Sequence, residues 1–334
     1  LFGLLGATLG IFEETYGLIP VFIGIMTALG YDPLVGGAVV YVGVATGFAA
    51  ALTNPFSVGI AQSIAEVPLN SGLWYRAVAF LAFQGVSIWY VMRYAKRVKA
   101  DPTKSVLYGE SYEVQIPPPK EDTQEFTLRQ KLCLLLFLVT IVVLLYGTTQ
   151  LGWYIDEIAA MFLMMMVITG VVAGYSATQI CQTFIAATKS VVPSILVIGF
   201  TRGILLTMQD AMISDTIVYE LARLLNYSNK MLSAMGMLVL QNIINFFITG
   251  SSSQATTMPI MASVADIVGI SRQTAVLCYC FGDGFSDMFW PTACTLECGL
   301  MGISLNKWYR FIGPLFLIMV VLQLFFTALS VMVY

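Results

Sequence analysis

Histidine is absent from the 334-residue chain. That removes the commonest general base and zinc ligand, so no Ser-His-Asp or Cys-His catalytic set can be assembled. Charge is also scarce. Asp, Glu, Lys and Arg make up 10% of residues, against roughly 25% in a soluble domain. With 58% apolar residues and a mean hydropathy of +0.83, a soluble globular enzyme and a disordered chain are both excluded. No basic patch exists to neutralise phosphates, which excludes a nucleic-acid binder. The six cysteines, Cys133, Cys181, Cys278, Cys280, Cys294 and Cys298, all sit in apolar stretches. Their spacing matches no zinc pattern, and a disulfide framework belongs to small secreted domains. They read as small buried helix residues, so neither a metal nor another resident cofactor is expected.

What remains is an all-α polytopic membrane protein. A spanning helix needs about 20 apolar residues, and the runs 73–92, 132–151, 155–175 and 308–333 qualify. Two longer runs are interrupted: 34–66 at Thr53-Asn54-Pro55, and 232–268 between Gly250 and Pro259. The run 272–303 carries Asp283, Asp287, Pro291 and Glu297 and is expected to be irregular. Residues 1–30 and 191–225 each read as two short apolar arms around a polar centre, the pattern of a re-entrant hairpin, which survives only where protein or a wet cavity surrounds it. The expected organisation is therefore a first repeat over 1–92 (hairpin 1–30, broken helix 34–66, helix 73–92) and a linker over 93–131. Scaffold helices with an interfacial segment follow over 132–190. A second repeat covers 191–303 (hairpin 191–225, broken helix 232–268, irregular helix 272–303), and a final helix covers 308–334. The linker holds eight of the 16 Lys and Arg residues, which places it in the cytoplasm by the positive-inside rule. The chain opens at Leu1 inside an apolar run, so helix counts read from it are expected to be lower bounds.

The repeat is carried by matched residues. Glu14-Thr15 pairs with Asp215-Thr216, Thr46-Gly47 with Thr249-Gly250, and Ala51 and Thr53 with Ala255 and Thr257. Pro55 pairs with Pro259 and Ala61 with Ala265, all in one order. Paired, interrupted hydrophobic segments in two halves point to a transporter binding site. Counting crossings gives four between equivalent points, where inverted repeats need an odd number, so parallel and inverted arrangements both stay open.

Nine acids lie in apolar surroundings: Glu13, Glu14, Asp210, Asp215, Glu220, Asp266, Asp283, Asp287 and Glu297. Arg202, Arg223 and Arg272 are the expected basic companions. Each charge at mid-helix costs roughly 2.5–3.5 kcal/mol, so these acids must be paired, protonated, cavity-facing or near an interface. For Glu220, Arg223, Asp266, Arg272 and Glu297 the plain expectation is a segment end in contact with water. The expected substrate site is Glu13, Glu14, Thr15, Thr53, Asn54, Asp215, Thr216, Ser252, Ser253, Gln254, Thr256 and Thr257. Asp210, Asp266, Asp283 and Asp287 are candidates for a coupling-ion or supporting role. Half-helix N-termini favour carboxylates, while freed carbonyls and acids favour cations. Together they suit an amino acid, or a dicarboxylate carried with Na⁺ or H⁺. A channel, an intramembrane hydrolase built on an Asp pair and a purely structural protein are the weaker alternatives.

At these residues the chain resembles a known family. Gln254-Ala255-Thr256-Thr257-Met258-Pro259, Gly269-Ile270-Ser271-Arg272-Gln273 and Phe281-Gly282-Asp283-Gly284-Phe285 are similar to the YfcC-like branch of the C4-dicarboxylate anaerobic carrier (DcuC-like) family. So are Phe12-Glu13-Glu14-Thr15-Tyr16-Gly17 and Thr53-Asn54-Pro55-Phe56. The resemblance implies membership of the ion-transporter superfamily: a homodimer in the bacterial cytoplasmic membrane, with scaffold and transport domains and an elevator movement. It implies a secondary carrier for a small amino acid or a carboxylate. A basic amino acid such as arginine or ornithine, moved by exchange, is preferred, and a Na⁺- or H⁺-coupled C4-dicarboxylate carrier is the alternative. Asp287 stands where the family commonly has Asn, Ser251-Ser252-Ser253 replaces a Gly-Ser-Gly-like stretch, and Cys294 to Cys298 replaces a more neutral run. An added acid near the site favours a cation.

Overall fold

The structure is a computed structural model that describes residues 1–109, 127–151, 153, 155–213, 216, 220, 229–248 and 257–334. All regular structure among these residues is helical. The chain divides into one unit of residues 1–113 with 193–334 and a second of residues 114–192.

The first unit is built around α3 (Pro33–Ala50). Asp32 starts this helix. Its Oδ1 accepts the Val35 amide at 3.0 Å, and Pro33 occupies the first turn, where no amide hydrogen is needed. Nearly every residue of α3 is buried, the signature of a central helix that is apolar all round. Around it pack α1 (Phe2–Leu9), α2 (Ile19–Ala28), α5 (Leu73–Ala100) and α11 (Arg272–Ser286). α1 approaches so closely that a Cβ at Gly47 would lie 1.9 Å from the Gly3 carbonyl oxygen. Small residues allow this backbone-to-backbone packing between membrane helices.

α1 and α2 are joined by Gly10 and a 3₁₀ segment, Glu13–Leu18, a helix–turn–helix over the residues expected as the first hairpin. α3 stops at Ala51, whose φ is +45°. Asn54 then caps a wide turn, Pro55–Gly59, that leads into α4 (Ile60–Ile64). α9 (Lys230–Phe247) begins at the Asn229 cap, and α10 (Met258–Val268) carries Pro259 in its first turn. α11 ends at Asp287, and α12 (Pro291–Met301) starts four residues later, so the irregular run is two helices with a sharp break. α13 (Leu305–Val333) closes the unit.

The second unit holds α6 (Leu128–Gln150) and α7 (Ile155–Ala173), closed by Trp153 and a small core of Leu144 and Met161. Thr127 and Gln130 form a reciprocal capping box at the start of α6. Long apolar side chains on α6, among them Leu134, Leu138 and Val142, are exposed, as expected of surface that meets lipid.

Two boundaries differ from expectation. α8 (Ala177–Asp210) is one helix. The helix runs from the segment expected at the interface into the first arm expected for hairpin 191–225. The amphipathic pattern of 176–190 is its polar first turns. α5 runs through Ala100, eight residues into the segment read as linker, because its Arg and Lys residues are good helix formers. Among the described residues, three helical stretches are long and apolar enough to cross a membrane: Pro33–Ile64, Lys230–Phe247 and Leu305–Val333.

Candidate functional site

The break after α3 is pinned to the end of α1. The Thr53 and Asn54 amides both donate to the Ala7 carbonyl, at 3.0 and 3.2 Å, and the Thr53 hydroxyl donates to the Thr8 carbonyl at 3.0 Å. Asn54 is fully buried. Its Oδ1 accepts the Phe56 and Ser57 amides at 2.9 and 3.3 Å, while its Nδ2 has no partner. The buried Ser57 hydroxyl is also without one. Two unused polar groups thus sit beside a cap that fixes their position, where a buried orphan costs about 1–3 kcal/mol.

At the hairpin tip the expected residues divide. Glu14 Oε2 accepts the Phe12 amide at 2.8 Å, and the buried Thr15 hydroxyl donates to the Phe12 carbonyl at 2.7 Å. Both are spent on the turn. Glu13 is exposed and acts electrostatically on Asp287 and Glu297. Tyr16 lies beside the Glu297 carboxyl.

The break between α11 and α12 is held from three sides. The Tyr41 hydroxyl of α3 donates to the Asp287 carbonyl at 2.9 Å, and the Trp308 indole of α13 to the Met288 carbonyl at 2.7 Å. Asn245 of α9 is fully buried. Its Nδ2 contacts the Asp283 carbonyl at 3.0 Å, the Ser286 hydroxyl at 2.5 Å and Asp287 Oδ1 at 2.8 Å. Thr257 donates to Gln241 Oε1 at 3.1 Å, joining α10 to α9.

Glu297 corrects the sequence reading. It was expected to touch water at a segment end, yet it lies inside α12, 1% exposed, with Oε2 unpartnered. The helix buries it because α12 packs inward against α2 and α3. Asp266 moves the other way. It is exposed at the end of α10 and ion-paired with Arg272 at 2.7 Å, and Arg272 also meets Glu66 at 2.9 Å. The pair lies at a segment end, where both residues meet solvent. Asp210 and Thr216 are exposed, and Thr216 bonds back to the Met212 carbonyl. Asp215, Ser252, Ser253, Gln254 and Thr256 lie outside the described residues, as does the side chain of Arg202.

Among the described residues of the first unit, Arg76 is the buried cation, and the sequence reading passed over it. It is fully buried. Its Nε and Nη2 fork onto the Leu52 carbonyl at 3.3 and 3.1 Å, and Nη1 donates to the Ser71 carbonyl at 2.6 Å. A carbonyl expected to be free at the break is therefore occupied by the chain itself. The clue in the sequence was a lone base inside the apolar run 73–92. The paired amides Gln241, Asn242 and Asn245, one turn apart in an apolar helix, were a second clue that went unused.

A sequence model of the C4-dicarboxylate anaerobic carriers (DcuC) matches residues 1–332. YfcC of Escherichia coli K12, provisionally named a basic amino acid antiporter, is 31% identical over 324 residues. An uncharacterised protein of Haemophilus influenzae Rd is 31% identical over 316 residues. Each match covers 93% of this chain and 64% or 62% of the relative, so the chain spans less than two thirds of their length. The crystal structure of the YdaH transporter of Alcanivorax borkumensis superposes with a TM-score of 0.51 at 16% identity, over 98% of this chain and 76% of that one. This is a likeness of fold.

Proposed function

The chain belongs to the C4-dicarboxylate anaerobic carrier family of membrane transporters, and from that premise we propose that it acts as a secondary carrier whose preferred substrate is a basic amino acid, moved by exchange. The observation that carries the reading is the excess of acids over bases in the interior among the described residues. Among the described residues, Asp287 and Glu297 flank the α11–α12 break with Glu13 near both, and one oxygen of Glu297 is unpartnered. Arg76 does not offset them, because it is committed to backbone carbonyls. A buried carboxylate is stable only beside a cation or a proton. An arginine or ornithine side chain supplies the first. The substrate carboxylate then suits the unpartnered Asn54 Nδ2 at the α3 break. The name given to the Escherichia coli relative supports the same class.

Asn54 also supports the alternative, a C4-dicarboxylate carrier in which the acids hold Na⁺ or H⁺ for coupling. A channel is the remoter reading. The elevator movement, the homodimer, the bacterial cytoplasmic membrane and a cytoplasmic linker 93–131 belong to this proposal as well, as do the unseen site residues Asp215, Ser252, Ser253, Gln254 and Thr256.

Counterflow in proteoliposomes tests it. Vesicles loaded with unlabelled arginine or ornithine are offered labelled arginine, beside a malate–succinate pair. Saturable arginine accumulation that requires internal substrate is expected. Accumulation of the dicarboxylate alone refutes the amino-acid reading. Asn54→Asp keeps the capping oxygen but removes the Nδ2 donor, so it should abolish uptake of either substrate while the protein stays monodisperse. Unchanged uptake would remove Asn54 from the site.

A further inference from the structure

A guanidinium buried in a membrane helix is expensive, and this one meets no carboxylate among the described residues. Arg76 spends its donors on two carbonyls, Leu52 in the α3 break and Ser71 in the turn before α5. The Ser71 carbonyl also receives Gln62 Nε2 from α4 at 3.0 Å and Gln273 Nε2 from α11 at 3.2 Å, and the Ser71 hydroxyl donates to Gln273 Oε1 at 2.8 Å. One carbonyl therefore gathers donors from three helices. The Leu52 carbonyl is held by Arg76 alone among these, two residues before Asn54.

The backbone at that point needs holding. Ala51 has a left-handed φ of +45°, a conformation costing about 1–2 kcal/mol for a residue other than glycine, and strained backbone persists only where its surroundings over-determine it. Ala7 holds the break from one side through the Thr53 and Asn54 amides. Arg76 holds it from the other. Only arginine can do so, because its planar fork places two donors on one oxygen, whereas a lysine ammonium is a point donor.

We propose that Arg76 is the positioning residue of the α3 break: its fork on the Leu52 carbonyl fixes Thr53 and Asn54 for substrate and thereby sets substrate affinity. This rests on the reading of the break as a substrate site, and the experiment separates the two.

Full-length protein carrying Arg76→Lys, Arg76→Met or Gln273→Ala is reconstituted for counterflow, and amide hydrogen exchange is followed at Thr53 and Asn54. With Arg76→Lys, KM should rise about fivefold with Vmax within twofold, and exchange at both amides should rise about tenfold. Arg76→Met should do more. If it does not fold, the lysine variant decides. Gln273→Ala removes a donor from Ser71 and leaves the Leu52 grip, so its KM and exchange should stay within twofold of the parent. The proposal is overturned if Arg76→Lys leaves KM or exchange unchanged, or if Gln273→Ala reproduces its effects. If the parent protein transports nothing offered, the function proposed above fails, and the exchange measurement alone decides whether Arg76 holds the break.

Discussion

Gly10 offers the sharpest test of how the hairpin and the helix break support each other. Its φ is +71°, and a Cβ there would lie 2.3 Å from Asn54 Oδ1 and 2.7 Å from Phe56 Cδ2. Gly10→Ala therefore carries two costs. The left-handed backbone costs about 1–2 kcal/mol with a side chain present. The contact forces Asn54 off its cap on the Phe56 and Ser57 amides, worth about 1 kcal/mol and up to about 2. Gly30 separates the terms. Its φ is +82°, but nothing lies within 4 Å of its ideal Cβ, so Gly30→Ala carries the backbone cost alone. The difference of about 1–2 kcal/mol falls on Asn54. It should weaken substrate binding by roughly 5–30-fold, since about 1.4 kcal/mol is a factor of ten. Both variants are purified in detergent, checked for monodispersity, and compared by melting temperature and by arginine titration. Equal loss of affinity in the two would refute the link between the hairpin and Asn54. A loss in melting temperature without any loss of affinity at Gly10 would show that the cap does not present Asn54 to substrate.

Two further outcomes are expected. Asn245→Ala strands Asp287 Oδ1, and each orphaned buried group costs roughly 1–3 kcal/mol. The melting temperature should fall clearly, and Asn245→Asp should fall further because it adds an acid beside Asp287. Equal stability of parent and variants would refute the assigned contacts. In the linker, the Thr103 hydroxyl and amide, and then Lys104, hold the Asp101 carboxyl below its usual value of 3.8. A depressed folded value means the turn is favoured at neutral pH and lost as pH falls through that lower value. Thr103→Val should move the Asp101 titration back up, and an unchanged carboxyl titration would refute the assignment.

The parts of the fold legible in the sequence are those set by local rules. Asp32 before Pro33, Asn54 before Pro55 and Ser271 before Arg272 announce helix starts, and each side chain caps its helix as its chemistry requires. The helix break at Thr53-Asn54 was readable for the same reason. What composition and spacing could not carry is which polar group each break would borrow from a distant helix. Arg76 lies 24 residues from Leu52, Tyr41 lies 246 residues from Asp287, and Asn245 reaches α11 across 41 residues to Ser286. These pairings are fixed by tertiary packing, and local pattern carries no trace of them. The misreading of Glu297 has the same origin. Its distance from a helix end is a sequence property, but its burial depends on α12 turning inward against α2 and α3. A polar residue in an apolar run is therefore best read together with the backbone groups that breaks elsewhere leave open. For Arg76 that rule would have paired a base inside an apolar run with the freed Leu52 carbonyl. Glu297 Oε2 would then have remained as the acid oxygen without a partner among the described residues, which is what favours a cationic substrate.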